Sequence, residues 1–242
     1  MKKIGLYTIT LMLAVTFFGA VPVSNAGGST EVLKNFIKIN SVKYRRAGAD
    51  SADLASIGEK LTPVGKVPRF DRQFSWKSGS IQVIQRDKPV KISTKKRKKL
   101  GGKFTALIGG NNSVSGEAGS ETSVDAEYFL LKLEFADNFS VVEALNKDKK
   151  TLANIKSLRK SKARIVSSVW VLVSGTETQA SKVSGTLTGN VSSGSGEFTL
   201  KSSSVSTFSF PEGSVMAYEI DKFKWTKKMV KIDRLMPDQV WR

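Results

Sequence analysis

Val183-Ser-Gly-Thr-Leu-Thr-Gly-Asn-Val191, continued by Ser192-Ser-Gly-Ser-Gly-Glu-Phe-Thr-Leu200, holds one charged residue, Glu197, in a chain with 39 Lys and Arg. Val183, Gly185, Leu187, Gly189 and Val191 fall on odd positions, and Ser184, Thr186, Thr188, Asn190 and Ser192 on even ones. A flexible linker has no reason to keep period two, whereas a strand with one apolar and one small polar face must keep it. Past a turn at Ser192–Ser195, Phe198 and Leu200 alternate with Glu197, Thr199 and Lys201. The stretch therefore predicts a strand pair. An apolar face opposite a Ser/Thr face over about 9–11 residues suits a lipid-facing β-barrel strand, and equally a modest amphipathic sheet in water.

The same alternation occurs upstream. Phe104, Ala106, Ile108, Gly110, Val114, Gly116 and Ala118 share one parity, and Thr105, Asn111, Ser113, Ser115 and Glu117 the other. After Gly119–Thr122 the pattern resumes at Val124, Ala126, Tyr128 and Leu130, with Asp125 and Glu127 on the opposite face. It turns apolar on both faces at Phe129, Leu131 and Leu133. This reads as a long hairpin, more polar at its tip and buried at its base. Ile165–Val173 predicts a strong strand, Ile81–Ile84 a short one, and Val215–Ile220 another after the Pro211-Glu-Gly213 turn.

Two segments carry helical spacing. Ser29 can cap a short amphipathic helix over Ser29–Ile39, with Val32, Leu33, Phe36 and Ile37 apolar and Lys34 and Lys38 on the other face. Between Ser140 and Arg164, Val142, Leu145, Leu152, Ile155 and Leu158 recur helically among Lys147, Lys149, Lys150, Lys156, Arg159, Lys160, Lys162 and Arg164. Residues 40–92 read as largely irregular, with Phe70, Phe74 and Trp76 interleaved with Arg69, Arg72 and Lys77. Thr94-Lys-Lys-Arg-Lys-Lys99 is a dense basic run, a solvated loop or a site for phosphate-bearing surfaces.

The chain opens Met-Lys-Lys, runs apolar from Ile4 to Ala20 and reaches Val23-Ser-Asn-Ala26. This is the arrangement of a secretory signal peptide, residues 1–26, which predicts a secreted or periplasmic protein. Residues 27–225 then form one domain, and 226–242 a short basic tail. With neither Cys nor His in the chain, disulfides, thiolate metal sites and Ser-His-Asp chemistry are excluded. No carboxylate-pair or Ser-Lys motif assembles, so the expectation is a non-enzyme with no cofactor, metal or small-molecule substrate. A formal charge of +18 calls for an anionic partner such as acidic lipid, nucleic acid or anionic glycan.

Several segments resemble the pore-forming N-terminal domain of the gasdermin family. They are Phe208-Ser-Phe-Pro-Glu-Gly-Ser-Val-Met-Ala-Tyr218, the strand start Gly-Ser-Gly-Glu-Phe-Thr-Leu200, and the run from Val141-Val-Glu-Ala-Leu145 through Leu152–Lys162 into Arg164–Val173 and Thr176-Glu-Thr178. Gly101-Gly-Lys-Phe104, leading into a Ser/Gly-rich hairpin, fits as well. The likeness spans Ser29 to Trp225 and is vague between Asn40 and Ile92.

The resemblance implies a protein that binds acidic phospholipid, oligomerises with copies of itself and refolds two hairpin regions, 104–135 and 165–210, into a large lytic pore. It assigns lipid contact to Lys34 and Lys38 on the first helix and to Lys156, Arg159, Lys160 and Lys162 between the hairpins. Membrane insertion falls to Phe104, Ala106, Ile108, Val114, Val183, Leu187, Val191, Phe198 and Leu200. An export signal and so short a C-terminal tail depart from the family. Either the tail 226–242 is a short inhibitory segment, or export itself separates the toxin from the membrane it must not attack. The competing expectation is a non-lytic exported β-protein holding nucleic acid or anionic glycan. The fold expected is α+β: a twisted antiparallel sheet with long hairpins, a short N-terminal helix and a basic helix between the hairpin regions.

Overall fold

A computed structural model describes residues 29–62, 64, 67–76, 81–85, 87–92, 127–174, 189–193, 197–202, 207–211, 214–228 and 230–239, with 174 and 189–211 as backbone. The strands are β1 (Thr30–Val32), β2 (Phe36–Ile39), β3 (Val42–Arg45), β4 (Ser56–Leu61), β5 (Arg69–Ser75), β6 (Gln82–Gln85), β7 (Val90–Lys91) and β8 (Tyr128–Phe135). Two helices follow, α1 (Asn138–Lys147) and α2 (Lys149–Ser157). Then come β9 (Ala163–Ser174), β10 (Gly189–Ser193), β11 (Glu197–Ser202), β12 (Thr207–Pro211), β13 (Val215–Trp225) and β14 (Ile232–Pro237). Among the described residues the fold is α+β. Its one sheet runs β1-β2-β3-β13-β9-β8-β6-β10-β11-β12, with β14 beside β13, β4 joining β5 to β9, and β7 beside β8.

The apolar runs of β8 and β9 are explained by burial on both faces. Phe129, Leu131, Leu133, Val169, Val171 and Val173 point to one side, where Val141, Val142 and Leu145 of α1 and Leu152 and Ile155 of α2 cover them. Leu130, Trp170 and Leu172 point to the other, under Ile37, Ile39 and Tyr44 of the N-terminal strands and Val90 of β7. Tyr44 meets Trp170 edge-on, with ring centroids 5.3 Å apart. Each such buried side chain contributes about 1.5–3 kcal/mol, so β8 and β9, flanked by β13, form the rigid centre of the molecule.

The expected helix over Ser29–Ile39 is a hairpin instead. Thr30 pairs with Ile39 and Val32 with Ile37, and Thr30, Val32, Ile37 and Ile39 are buried while Leu33 and Phe36 are only half-buried. β-Branched residues favour that pleated, half-covered surface over a helix. Lys34 therefore sits in the β1–β2 turn and Lys38 on β2, where it bonds Glu31 at 2.8 Å. Asn40 and Ser41, both at positive φ (50° and 69°), close the next hairpin as a two-residue turn of the kind that matches strand twist.

The single basic helix expected over 140–164 is divided. Asp148 ends α1 and caps α2 by accepting from the Thr151 amide at 2.9 Å. Leu158 is extended, so Arg159, Lys160 and Lys162, expected on a helix, occupy the turn before β9. Residues 40–92, expected to be largely irregular, supply β3 to β7. The segment 226–242, read as a tail, contributes β14, whose Ile232 and Leu235 are buried.

Candidate functional site

The register of the central strands brings four chain crossings to one end of the sheet. Tyr128 is the partner of Ser174. The Ile92 amide donates to the Tyr128 carbonyl and the Leu172 amide to the Ser214 carbonyl, both at 2.9 Å. β7 pairs with the Tyr128 end of β8, and β13 with the Ser174 end of β9, through Val215 and Val171. The strands β7-β8-β9-β13 are thus consecutive antiparallel neighbours. The long connections 93–127 and 175–213 both leave from this same end.

Of the residues expected to insert, Phe104, Ala106, Ile108, Val114, Val183 and Leu187 lie outside the described residues. Val191 lies on β10 and Leu200 opposite it on β11, while Phe198 is the partner of Ser193. The strand pair expected from the alternation around Val183–Leu200 is therefore present over its described part. β10 is attached to the body through Gly189 and Asn190, opposite Val83 and Gln82 of β6.

The basic candidates are not brought together. Lys34 and Lys38 belong to the N-terminal strands. Lys156, Arg159 and Lys160 are exposed, and Lys162 half-buried, around the start of β9. That start is the end of β9 opposite Ser174. The turn is clamped to β4, since Glu59 Oε1 accepts from the Arg159 amide and the Lys162 carbonyl from the Lys60 amide, both at 2.8 Å.

Basic residues that the sequence did not single out as a site cluster at this same end. Asn146 of α1 donates from Nδ2 to the Ile232 carbonyl and accepts from the Ile232 amide, each at 2.9 Å. This pair of bonds seats the α1–α2 corner against the β13–β14 turn. Lys147, Lys149 and Lys150 at the corner and Lys227, Lys228 and Lys231 at the turn are all exposed.

A cleft of about 870 Å³ lies along β13 and β3, lined among others by Lys43, Arg45, Glu134, Asp137, Glu219, Asp221 and Asp238. At its edge the Asp238 carboxylate accepts from Lys60 Nζ at 2.8 Å, Arg164 Nε at 2.5 Å and Arg45 Nη2 at 3.3 Å. Burial alone would raise the Asp238 pKa, but its bonds to Lys60 and Arg164 hold it below the usual carboxylate range. Asp221 is 4 % exposed, and burial outweighs a hydrogen bond from Ser167 and lifts its pKa to about 6. Lys132 bridges Glu134 at 3.1 Å and Glu219 at 3.4 Å. Burial disfavours its charge, yet Glu219, Tyr44 and Glu134 raise its pKa above the ordinary lysine value.

Among the described residues no group of three or more acidic side chains is placed to hold a metal ion, and no helix is long and apolar enough to cross a membrane, a fact with no bearing on strands. Comparison of the chain with protein-family models, with curated proteins and with solved structures finds no significant match.

Proposed function

We propose that this chain is an exported membrane-permeabilising protein, similar in plan to the gasdermin pore-forming domain, that binds acidic phospholipid, oligomerises and inserts two hairpins. The observation that carries this reading is the adjacency of β7, β8, β9 and β13, with both long connections leaving one end of that four-strand block. Residues 93–127 and 175–213 each exceed the roughly 20 residues that two tilted spanning strands require. If each connection extends the strands that flank it, the four extensions are already neighbours in an antiparallel sheet, and no strand has to cross another.

The physical route is consistent with the sequence of those connections. A hairpin entering hydrocarbon alone leaves its outer backbone groups unpaired, so insertion requires copies to pair edge to edge and close a barrel. The alternation of Val183, Leu187 and Val191 with Ser and Thr supplies one face for lipid and one for a wet lumen. The basic run Lys95–Lys99 follows β7 in the sequence of the first connection, and its charges suit phosphate headgroups.

Dye release from liposomes by residues 27–242 tests the reading. Release from vesicles containing acidic phospholipid, absent from neutral ones, reduced by salt and abolished by Leu187→Asp, is the expected result. Binding to acidic vesicles without release under any lipid or salt condition overturns it.

A further inference from the structure

We infer that the α1–α2 corner and the β13–β14 turn together form a docking surface for an acidic phospholipid membrane, at the end of the molecule opposite the hairpin exits. The inference rests on the acidic-lipid reading above and adds to it a site, an orientation and an order of events.

The surface is assembled from segments far apart in the chain. Asn146 bonds both backbone groups of Ile232, which brings Lys149 and Lys150, and Lys147 with its partner Glu143 at 2.6 Å, to the turn that carries Lys227, Lys228 and Lys231. Three features of it oppose stability. Lys224 and Arg234 are direct cross-strand partners and both are exposed, a like-charge pairing that weakens a hairpin. Lys149 and Lys150 occupy the first turn of α2, so two cations stand against the single Asp148 cap carboxylate at the positive end of the helix dipole. Val230 is 55 % exposed between Lys228 and Lys231, with its apolar side chain in water. A headgroup layer relieves all three at once, by supplying phosphates to the cations and an apolar boundary to the valine.

The composition of the surface favours lipid over nucleic acid. Stacking on bases needs exposed aromatic rings; Trp76, Phe223 and Trp225 are buried, and the exposed Phe139 lies in the first turn of α1, at the other end of the helix from the corner. Its cations are lysines, apart from Arg234. Ammonium groups act as point charges suited to a fluid headgroup plane, rather than as the bidentate forks that read bases.

The orientation follows from the strands. β13 has 11 residues and runs from Val215 at the exit end to Trp225 beside this surface, a separation of about 35 Å at 3.3 Å per residue. A protein docked here holds the four exits, at Ile92, Tyr128, Ser174 and Ser214, away from the bilayer, whereas β10–β12 of the second connection lie beside the Gln82 end of β6, on the docking side of the sheet. Docking is therefore a first, non-lytic contact, and insertion requires the exit end to turn toward the membrane.

The test is co-sedimentation with vesicles of phosphatidylcholine and phosphatidylserine, read separately from dye release. It compares the full mature chain with Lys227→Glu/Lys231→Glu and with the charge-matched Lys43→Glu/Lys88→Glu. The first double variant is expected to lose binding by about thirtyfold, at roughly 1 kcal/mol per lysine, with an unchanged thermal melt; the second is expected to bind nearly as wild type. Val230→Asp, which keeps the lysines, should also weaken binding. Equal losses in the two double variants mean that only net charge matters and overturn the inference. So does undiminished binding by the first variant, absence of binding by wild type, or loss of duplex-DNA retention with vesicle binding intact. Wild type that binds through this surface but never releases dye leaves the docking site standing and removes the pore-forming function.

Discussion

Arg164 Nε donates to Asp238 Oδ2 at 2.5 Å, joining the first turn of the central strand β9 to the residue that follows β14. The same carboxylate takes Lys60 from β4 and Arg45 from β3, so one side chain ties four strands. The side chains of Arg45, Arg164 and Asp238 are 5 %, 10 % and 11 % exposed. Removing one member of such a group leaves the others buried without compensation, which costs about 3–5 kcal/mol. Asp238→Asn should lower the thermal midpoint markedly, and truncation before Pro237 should do the same. A melt of Asp238→Asn superimposable on wild type would show that the carboxylate carries no net stability.

Asp221 gives the pH dependence its sign. Burial raises its folded pKa to about 6, above the unfolded value of about 3.9. Between these values the folded state binds more protons than the unfolded state, so stability is highest at the low end and falls as pH rises through about 6. Asp238 behaves oppositely, because its folded pKa is depressed and its contribution is lost as pH falls below the ordinary carboxylate range. Urea unfolding should therefore show greatest stability near pH 4, falling from there to a plateau above about pH 6, set by these two groups. Asp221→Asn should flatten the limb above pH 5 and be more stable than wild type at pH 8, by up to about 3 kcal/mol. A wild-type profile rising from pH 5 to 8 would contradict this.

Gly58 marks where β4 steps past β5. The register shifts between Ile57 and Gly58, and a Cβ at position 58 would stand 2.0 Å from the Asp71 carbonyl oxygen. Backbone cannot yield as a flexible side chain can, and forcing extra atoms into a packed site costs typically about 1–3 kcal/mol and occasionally more. Gly58→Ala should lower the urea midpoint or prevent folding, whereas Gly→Ala at an unstrained position with room for the methyl stabilises slightly. An unchanged midpoint would mean that the bulge relaxes.

The parts of the fold legible in the sequence are those where one physical demand dominates. β8, β9 and β13 carry apolar residues on both faces and leave no choice but a buried strand, and β10 with β11 keep period two in a charge-poor stretch. Residues 29–39 misled because Val32, Leu33, Phe36 and Ile37 satisfy helical spacing over so short a run that β1, a turn and β2 fit equally well; only the register Val32–Ile37 separates them. Lys156, Arg159, Lys160 and Lys162 were conspicuous because they crowd into seven residues of sequence. The corner built by Asn146 and Ile232 was not, since its two halves lie 86 residues apart and an asparagine in a helix carries no mark of its partner.

That corner makes its own prediction. Asn146→Ala removes one donor and one acceptor from half-buried backbone groups of Ile232, a loss of about 1–3 kcal/mol for each group left unsatisfied. Asn146→Asp keeps the acceptor but loses the donor and should fall between. Amide exchange at Ile232 should accelerate in both variants by more than at Val169, deep in β9. Equal acceleration throughout would indicate global loosening rather than release of the β13–β14 hairpin.

The final prediction concerns what must let go before a hairpin can insert. Among the described residues, β10 pairs with the body through Gly189 opposite Val83 and Asn190 opposite Gln82, so the second long connection cannot extend while that pairing persists. Directly opposed residues of an antiparallel pair lie about 4.5–5.5 Å apart at Cα, within disulfide range, and the chain contains no cysteine to interfere. Gln82→Cys/Asn190→Cys should form a disulfide under mild oxidation, with Gln82 already exposed. The oxidised variant should still bind acidic vesicles, because the cross-link leaves every lysine of the docking surface in place, yet release no dye. Reduction should restore release to the level of the single variants. If the oxidised protein, shown by mass to be fully cross-linked, releases dye as wild type does, then the second connection does not leave β6, and the four-strand insertion derived from β7, β8, β9 and β13 is not how this protein opens a membrane.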